Sequence, residues 1–299
     1  MNFKIKAKMK TNKRSIIYIC FAVIAFSFAA CEKVITLSLP SANSLTYLDG
    51  FITDRPGIQT VKLLKATGYL DSAALQPVAD AKIILSDLTL GTNYNLTYQG
   101  GAYSYDPGNA NAVGVIGHIY QLTVNWSGAR FEARDTLKRV PAIDSITYTY
   151  KKSNGNEKEG YYATFFAVDI PGATDYYWIR AYRNGLRNTY TYDQLSIDGA
   201  YAENTNDGLE FIYPLRKNIT ADSRPYVKGD SVRVVMRSLS KNSYDFMNTA
   251  LRQLFNGGLF ATVLSNVPAN LVNQTSGNTA RIYGWFGAVA ETQLSTTIQ

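Results

Sequence analysis

The start of the chain constrains it most. Six basic side chains (Lys4, Lys6, Lys8, Lys10, Lys13 and Arg14) precede a mostly apolar run from Ile16 to Ala30, and no acid comes before Glu32. A basic segment, an apolar segment of this length and small residues before a cut site make a secretory signal. A membrane span needs ~20 consecutive apolar residues, and this run is shorter and passes directly into polar sequence. Residues 1–30 are therefore read as a signal peptide, and residues 31–299 as the mature protein.

Phe28-Ala29-Ala30-Cys31 resembles a lipobox, with Phe28 where Leu is usual. Ala29 and Ala30 let the backbone enter a narrow protease site, and Cys31 offers a thiol for diacylglycerol transfer. Cleavage is expected between Ala30 and Cys31, with Cys31 as the lipid attachment point. The lipid bilayer is then the first expected partner, since each buried acyl methylene contributes ~0.8 kcal/mol to anchoring.

Removing the signal also changes the electrostatics. The chain has 30 basic and 23 acidic side chains, and six of the basic ones leave with residues 1–30, so 24 stand against 23. The basic balance of the whole chain therefore gives no reason to expect a nucleic-acid partner. Cys20 leaves as well, and Cys31 becomes a thioether, so no disulfide is expected and packing must supply the stability. The 269 residues left of 299 are enough for a sizeable core, expected as two domains.

After a lipidated tether at residues 31–43, the sequence reads as strand after strand. Residues 44–48 (with a continuation to 53), 60–65 and 82–87 have strand character, and Asp54-Arg55-Pro56-Gly57 is a turn. Tyr120 to Trp126 alternates apolar and polar, as a half-buried strand does, and Ser127-Gly128 turns it back into residues 130–134. This spacing predicts an Ig-like β-sandwich over 44–140. Beyond Val140-Pro141, a second β-rich domain is expected over 141–299, with strands at 145–150, 161–170, 176–183 and 230–237. Asn184-Gly185 marks a hairpin because both residues tolerate positive φ. One helix is expected over 241–255, capped by Ser240 and ended by Gly257, with Tyr244, Met247, Leu251 and Leu254 on its packed stripe. The fold class is mainly β: two sandwich-like domains, the second with one packed helix.

An ordered set of short motifs runs through this frame. Cys31-Glu32-Lys33-Val34-Ile35, Gly50-Phe51-Ile52-Thr53-Asp54, Pro77-Val78-Ala79-Asp80-Ala81 and Val140-Pro141-Ala142-Ile143-Asp144 come first. Tyr244-Asp245-Phe246, Gly257-Gly258-Leu259-Phe260 and Val267-Pro268-Ala269-Asn270 come after them. Together they resemble the Bacteroidota lipoproteins of domain-of-unknown-function family 4249. Gly284-Trp285-Phe286-Gly287 departs from the more usual Gly-Tyr-Phe. The resemblance implies a carboxypeptidase-regulatory-like sandwich over 44–140 and a lipid-anchored outer-membrane protein, periplasmic or surface-exposed, associated with a TonB-dependent β-barrel transporter. It carries over no catalytic residue.

The residues offer little conventional chemistry. A Ser-His-Asp mechanism would have to use His118, the one histidine, yet it starts an alternating strand and no Gly-x-Ser-x-Gly accompanies it. One histidine and no free thiol argue against a zinc site, and no metal or cofactor is expected. Glu203-Asn204-Thr205-Asn206-Asp207-Gly208 is oxygen-rich but lacks calcium-loop spacing, and reads as a turn. Among 22 Tyr, 13 Phe and 3 Trp, the consecutive Tyr176, Tyr177 and Trp178 are the candidate ligand-binding aromatics. Their side chains must alternate between sheet faces, which suits a glycan or peptide ligand if one face is open. The expected function is thus a non-enzymatic accessory of nutrient uptake; the alternatives are a carboxylate-dependent hydrolase of glycans or peptides and a structural envelope protein.

Overall fold

The computed structural model describes residues 45–66, 75–108, 110–256 and 267–299. The signal, the Ala30–Cys31 junction, the tether and Gly257 lie outside the described residues, which belong to one compact unit. The architecture is mainly β with two helices.

The first region is a curled sheet. Its strands are β1 (Thr46–Thr53), β2 (Gln59–Lys65), β3 (Gln76–Pro77), β4 (Lys82–Asp87), β5 (Thr92–Gln99), β6 (Ala102–Tyr105), β7 (Ile119–Trp126) and β8 (Ala129–Thr136). Two later strands, β15 (Val272–Asn273) and β16 (Ile282–Val289), return to it. The order is β15-β8-β7-β4-β5-β6-β2-β1-β16, with β3 beside β2. β5 makes the corner: its first half pairs with β4 and its last residues with β6, as strands do where a sheet folds over on itself. The curl brings β8 beside β16, where Lys138 bridges Val289 and the Asp135 carboxylate accepts the Ala288 N–H at 3.0 Å.

Strand alternation fills this curl. Leu48 and Ile52 of β1, Val61 and Leu63 of β2, Ile83 and Leu85 of β4 and Phe131 of β8 all point inward and are buried. The Ser127-Gly128 turn forms as expected: both residues have positive φ (53° and 71°), and Trp126 pairs with Ala129, a geometry whose twist matches the flanking strands.

The expected division at Val140-Pro141 needs correcting. β16 lies parallel to β1 from Thr46↔Ile282 to Thr53↔Val289, so part of 141–299 completes the first sheet. A parallel neighbour requires a long crossover, and here the crossover carries the whole second region. Gly284 permits the approach: its φ is +88°, and a Cβ there would sit 2.0 Å from the Leu48 carbonyl oxygen.

The second region holds a two-stranded sheet, β9 (Ser145–Lys151) with β10 (Gly160–Phe166). A five-stranded sheet contains β11 (Tyr176–Arg183), β12 (Leu186–Arg187), β13 (Gln194–Ile197), β14 (Ser231–Leu239) and β17 (Glu291–Thr297). Asn184 and Gly185 form the expected hairpin, both at positive φ, with Arg183 paired to Leu186. A short helix α1 (Tyr213–Lys217) begins with Pro at its first turn, and α2 (Lys241–Leu254) is the expected long helix. The Ser240 hydroxyl caps α2 by accepting the Ser243 N–H at 3.2 Å. Tyr244 and Met247 pack on Tyr176, Trp178, Ile197, Leu239 and Val289. The end of the stripe is not used in the same way, because Leu254 and Phe255 stay exposed.

α2 is tied to the first sheet by one polar hub. The buried Ser243 hydroxyl donates to Asp135 at 2.8 Å and accepts from the Trp285 indole at 2.8 Å, while Trp285 stacks on Phe246. Burial raises the Asp135 carboxyl above its usual range, against the bonds from Ser240, Ala288 and Ser243 that favour its charge.

Candidate functional site

The aromatic triplet alternates as the strand demands, but neither face is open. Tyr177 points into the core, fully buried, and its hydroxyl donates to Asp169 at 2.5 Å. Tyr176 and Trp178 point the other way, under α2. Tyr176 donates to Glu203 at 2.8 Å and packs beside Tyr244. Trp178 donates to Asp193 at 3.0 Å, with the Arg180 guanidinium 3.7 Å from its ring centre. Tyr176, Tyr177 and Trp178 are therefore packing residues and not a binding face, because the helix that the sequence also predicts occupies the side a ligand would need.

The accessible aromatic surface lies elsewhere in the same region. The β9–β10 hairpin buries Ala163 and Phe165 on one face. On the other, Thr149, Lys151, Tyr162 and Thr164 floor a cleft of about 470 Å³. Tyr162 stands opposite Thr149 in the register, so alternation turns Tyr162 and Thr164 toward the cleft, while Ala163 belongs to the core and also meets the cleft lining. The cleft is walled by residues 190–194, by α1 and by the segment 218–223. Thr220 fixes that last wall: its hydroxyl donates to the Ala163 carbonyl at 3.1 Å and accepts the Ala163 N–H at 2.9 Å. Leu215 anchors α1 by full burial, which leaves Tyr213 outside. Tyr190, Tyr192 and Tyr213 rim the cleft at 52%, 70% and 55% exposure.

Charge in the cleft is balanced. Lys151 pairs with Glu157 at 2.6 Å, with its ammonium 4.4 Å from the Tyr162 ring centre; Lys217 and Asp222 also line the space. The bond from Lys151 holds the Glu157 carboxyl below the usual carboxylate range. A second cleft of about 500 Å³ adjoins the first, sharing Gln194 and Asn218 with it. It lies under α2 and is lined by Tyr201, Tyr244 and Phe255 among others. The rings of Tyr192 and Phe255 meet edge to face at 4.8 Å, joining the rim of one cleft to the lining of the other.

Other candidate groups serve the fold. His118 Nδ1 lies 2.8 Å from Asp87. Asp87 also accepts the N–H groups of Thr89 and Leu90. Burial opposes charge on Asp87, but the bonds from His118, Leu90 and Thr89 outweigh it and hold the carboxyl below its usual range. The pair pins the β4–β5 turn to the start of β7, and among the described residues no serine hydroxyl bonds His118. In the Glu203–Gly208 loop, Asn206 donates to the carbonyls of Asp198 and Glu210, and Asp207 accepts the Gly172 N–H. Apart from Asn204, the polar side chains of the loop thus meet protein partners. Among the described residues, no group of three or more His, Cys, Asp or Glu is placed to hold a metal, and no helix is long and apolar enough to cross a membrane.

Carboxyls whose pKa burial raises among the described residues are Asp54, Asp135, Asp175 and Asp198. None lines either cleft. Their oxygens accept protein donors: Asp54 from Glu291 N–H, Asp175 from Arg139, Asp198 from Asp175 N–H.

The cleft tyrosines carried a sequence signal of their own. Tyr190, Tyr192 and Tyr201 lie in loops and Tyr213 starts α1, so all four are outside strands, where β-propensity gives no reason for an aromatic ring. No curated protein matches the chain. A family model matches residues 32–295, and the chain belongs to that family, described as a domain of unknown function, DUF4249.

Proposed function

We propose that this protein is a lipid-anchored, non-enzymatic accessory of an outer-membrane TonB-dependent uptake system, and that it holds a glycan or peptide in the tyrosine-rimmed cleft. The cleft itself carries the reading: about 470 Å³ of space, three exposed tyrosines and a polar floor set between balanced charges. Ligand sites are commonly concave spaces of ~300–1,000 Å³ combining rings with a few placed polar groups. The anchor is Cys31, and the partner that receives the ligand is a β-barrel transporter.

Glu157 and Asp222 both line the cleft, which is the one feature favouring a carboxylate-dependent hydrolase. A glycosidase needs one carboxyl that keeps its proton near neutral pH. The bond from Lys151 favours the charged form of Glu157 and ties it up in an ion pair at 2.6 Å, so binding is the better-supported reading.

The test is purification of the acylated protein from its native membrane in mild detergent, with mass spectrometry of what accompanies it. A stoichiometric β-barrel transporter is expected. Recovery of the protein alone, or of a mature form without acyl mass on Cys31, would sink the transporter or the anchor part of the reading respectively.

A further inference from the structure

From the lining of the two clefts we infer that the ligand is a neutral oligosaccharide, lying in the tyrosine-rimmed cleft and running on past Gln194 and Asn218 into the second. The inference rests on the reading that the first cleft is a ligand site, and it adds the ligand's class and its path.

Three observations point to this class. The first is charge. Lys151 and Lys217 stand against Glu157 and Asp222 in the first cleft, and Arg252 against Asp193 in the second. Half of these charges are already engaged: Lys151 with Glu157 at 2.6 Å, and Asp193 with Arg180 at 2.9 Å and Arg187 at 2.8 Å. An anionic or cationic ligand would have to compete with a built ion pair and would find no surplus of opposite charge, whereas a neutral one meets no such obstacle.

The second is the inventory of free polar groups. The side chains of Thr149, Asn156, Thr164 and Asn218 line the first cleft and hydrogen-bond no described residue. Gln194, at the seam, donates through Nε2 to the Leu215 carbonyl at 3.1 Å, while its buried Oε1 has no donor among the described residues. Hydroxyls and amides, each able to donate and accept, match a ligand dense in hydroxyls. An extended peptide added as a strand would need open backbone edges, but Thr220 and Tyr226 already take the N–H groups of Ala163 and Tyr161 along β10.

The third is the placement of the rings. Tyr190, Tyr192 and Tyr213 line the first cleft, and Tyr201, 57% exposed, lines the second, with the Tyr192–Phe255 pair between. Flat rings present large contact area at small entropic cost, and the C–H faces of pyranose rings stack on them. Rings spread over two joined clefts suit several successive sugars better than one.

The test uses the full mature protein in detergent on an array of neutral oligosaccharides, uronic-acid oligosaccharides and short neutral peptides, followed by calorimetry on the best binder. Binding to a neutral oligosaccharide of about four or more sugars is expected, unchanged between about 0.05 and 0.5 M salt. Tyr192→Ala and Tyr213→Ala should each weaken it by about tenfold or more, and Tyr192→Phe should restore most of the loss. Tyr201→Ala should weaken the long ligand and spare its disaccharide unit, which tests the path separately. Preference for uronic acids or peptides, absence of any neutral oligosaccharide from the bound set, or indifference to Tyr192→Ala and Tyr213→Ala would each overturn the inference. A transporter recovered from the membrane alongside a negative array would leave the accessory reading standing and remove only the ligand class.

Discussion

The two regions of this protein differ in the apolar side chains that they leave exposed. In the curled sheet the core is largely aliphatic, and the large apolar residues left exposed among those described are aliphatic as well: Ile58, Leu88, Leu90, Val115 and Ile116. In the second region the core also mixes aliphatic residues with buried rings (Phe165, Tyr177, Phe211, Tyr226), but here exposed rings gather beside it: Tyr190, Tyr192, Tyr201, Tyr213 and Phe255. Buried acids do not follow this division: Asp87 in the first region and Asp230 in the second are bonded firmly enough to stay charged, whereas Asp135 in the first and Asp175 and Asp198 in the second are pushed toward the neutral form by burial. The first region reads as a scaffold and the second as the part with a surface to use. Aromatic abundance by itself does not distinguish these roles; position relative to the strands does.

The contrast would lose most of its force if the regions were energetically separate. Phe131 belongs to one core and Phe165 to the other, and both are fully buried. Truncating either to Ala should cost about 3–5 kcal/mol. The parallel β1–β16 pairing and the Asp135–Ser243–Trp285 hub tie the regions together. Both variants should therefore shift one common denaturant transition, followed by far-UV and near-UV circular dichroism. Two separated transitions in either variant would show that the regions fold independently.

A second test uses the acids, with no change of core volume. Asp198 sits above its usual pKa through burial, with the charges of Asp169, Asp175 and Asp207 adding to the shift. Its contribution to stability is fully present below the unfolded value near 3.8 and is lost as pH rises through the folded value. Asp87 is the reverse: its contribution is present above 3.8 and is lost as pH falls through the depressed folded value. The stability of Asp198→Asn relative to the parent should rise with pH upward from about 3.8, and that of Asp87→Asn should fall with rising pH below it. Denaturant melts at several pH values read both slopes, and slopes of the same sign would contradict the assignment of opposite environments.

Much of the frame was legible in the sequence because its signals are local. Strict alternation places β7, the turn chemistry of Ser127-Gly128 and Asn184-Gly185 places two hairpins, and the Tyr244–Met247 spacing with Ser240 places α2. What was not legible is set by distant partners. β5 alternates Tyr94, Leu96 and Tyr98 on the core side with Asn and Thr outward, but its place at the corner of the sheet comes only from pairing with β4 and β6. β16 contains two glycines, which argue against a strand locally; Gly284 is there to let the chain pass close to Leu48. The site was missed for a related reason. Three consecutive aromatics in a strand were conspicuous, but a strand under a helix has no free face, and the same packing sends the accessible rings to loops and the start of α1, which show no periodicity.

The mildest substitutions separate rim from core most cleanly. Tyr192 and Tyr213 are 70% and 55% exposed, and their hydroxyls bond no described residue. The only ring contact of Tyr192 among the described residues is Phe255, itself exposed. Tyr213 has only the Arg216 guanidinium and the Lys217 ammonium near its ring, each at 5.9 Å. Neither side chain therefore excludes much water from the fold, and Tyr192→Ala or Tyr213→Ala should change the unfolding free energy by no more than about 0.5 kcal/mol. The same chemical truncation at Tyr226, buried with its hydroxyl on the Ile219 carbonyl and its pKa pushed up to about 12 by burial, should cost several kcal/mol. A loss at Tyr192 or Tyr213 approaching that at Tyr226 would mean that the rim rings support the fold, and their exposure would no longer be a reason to assign them to a ligand. A near-zero loss leaves recognition as the role these rings are free to serve.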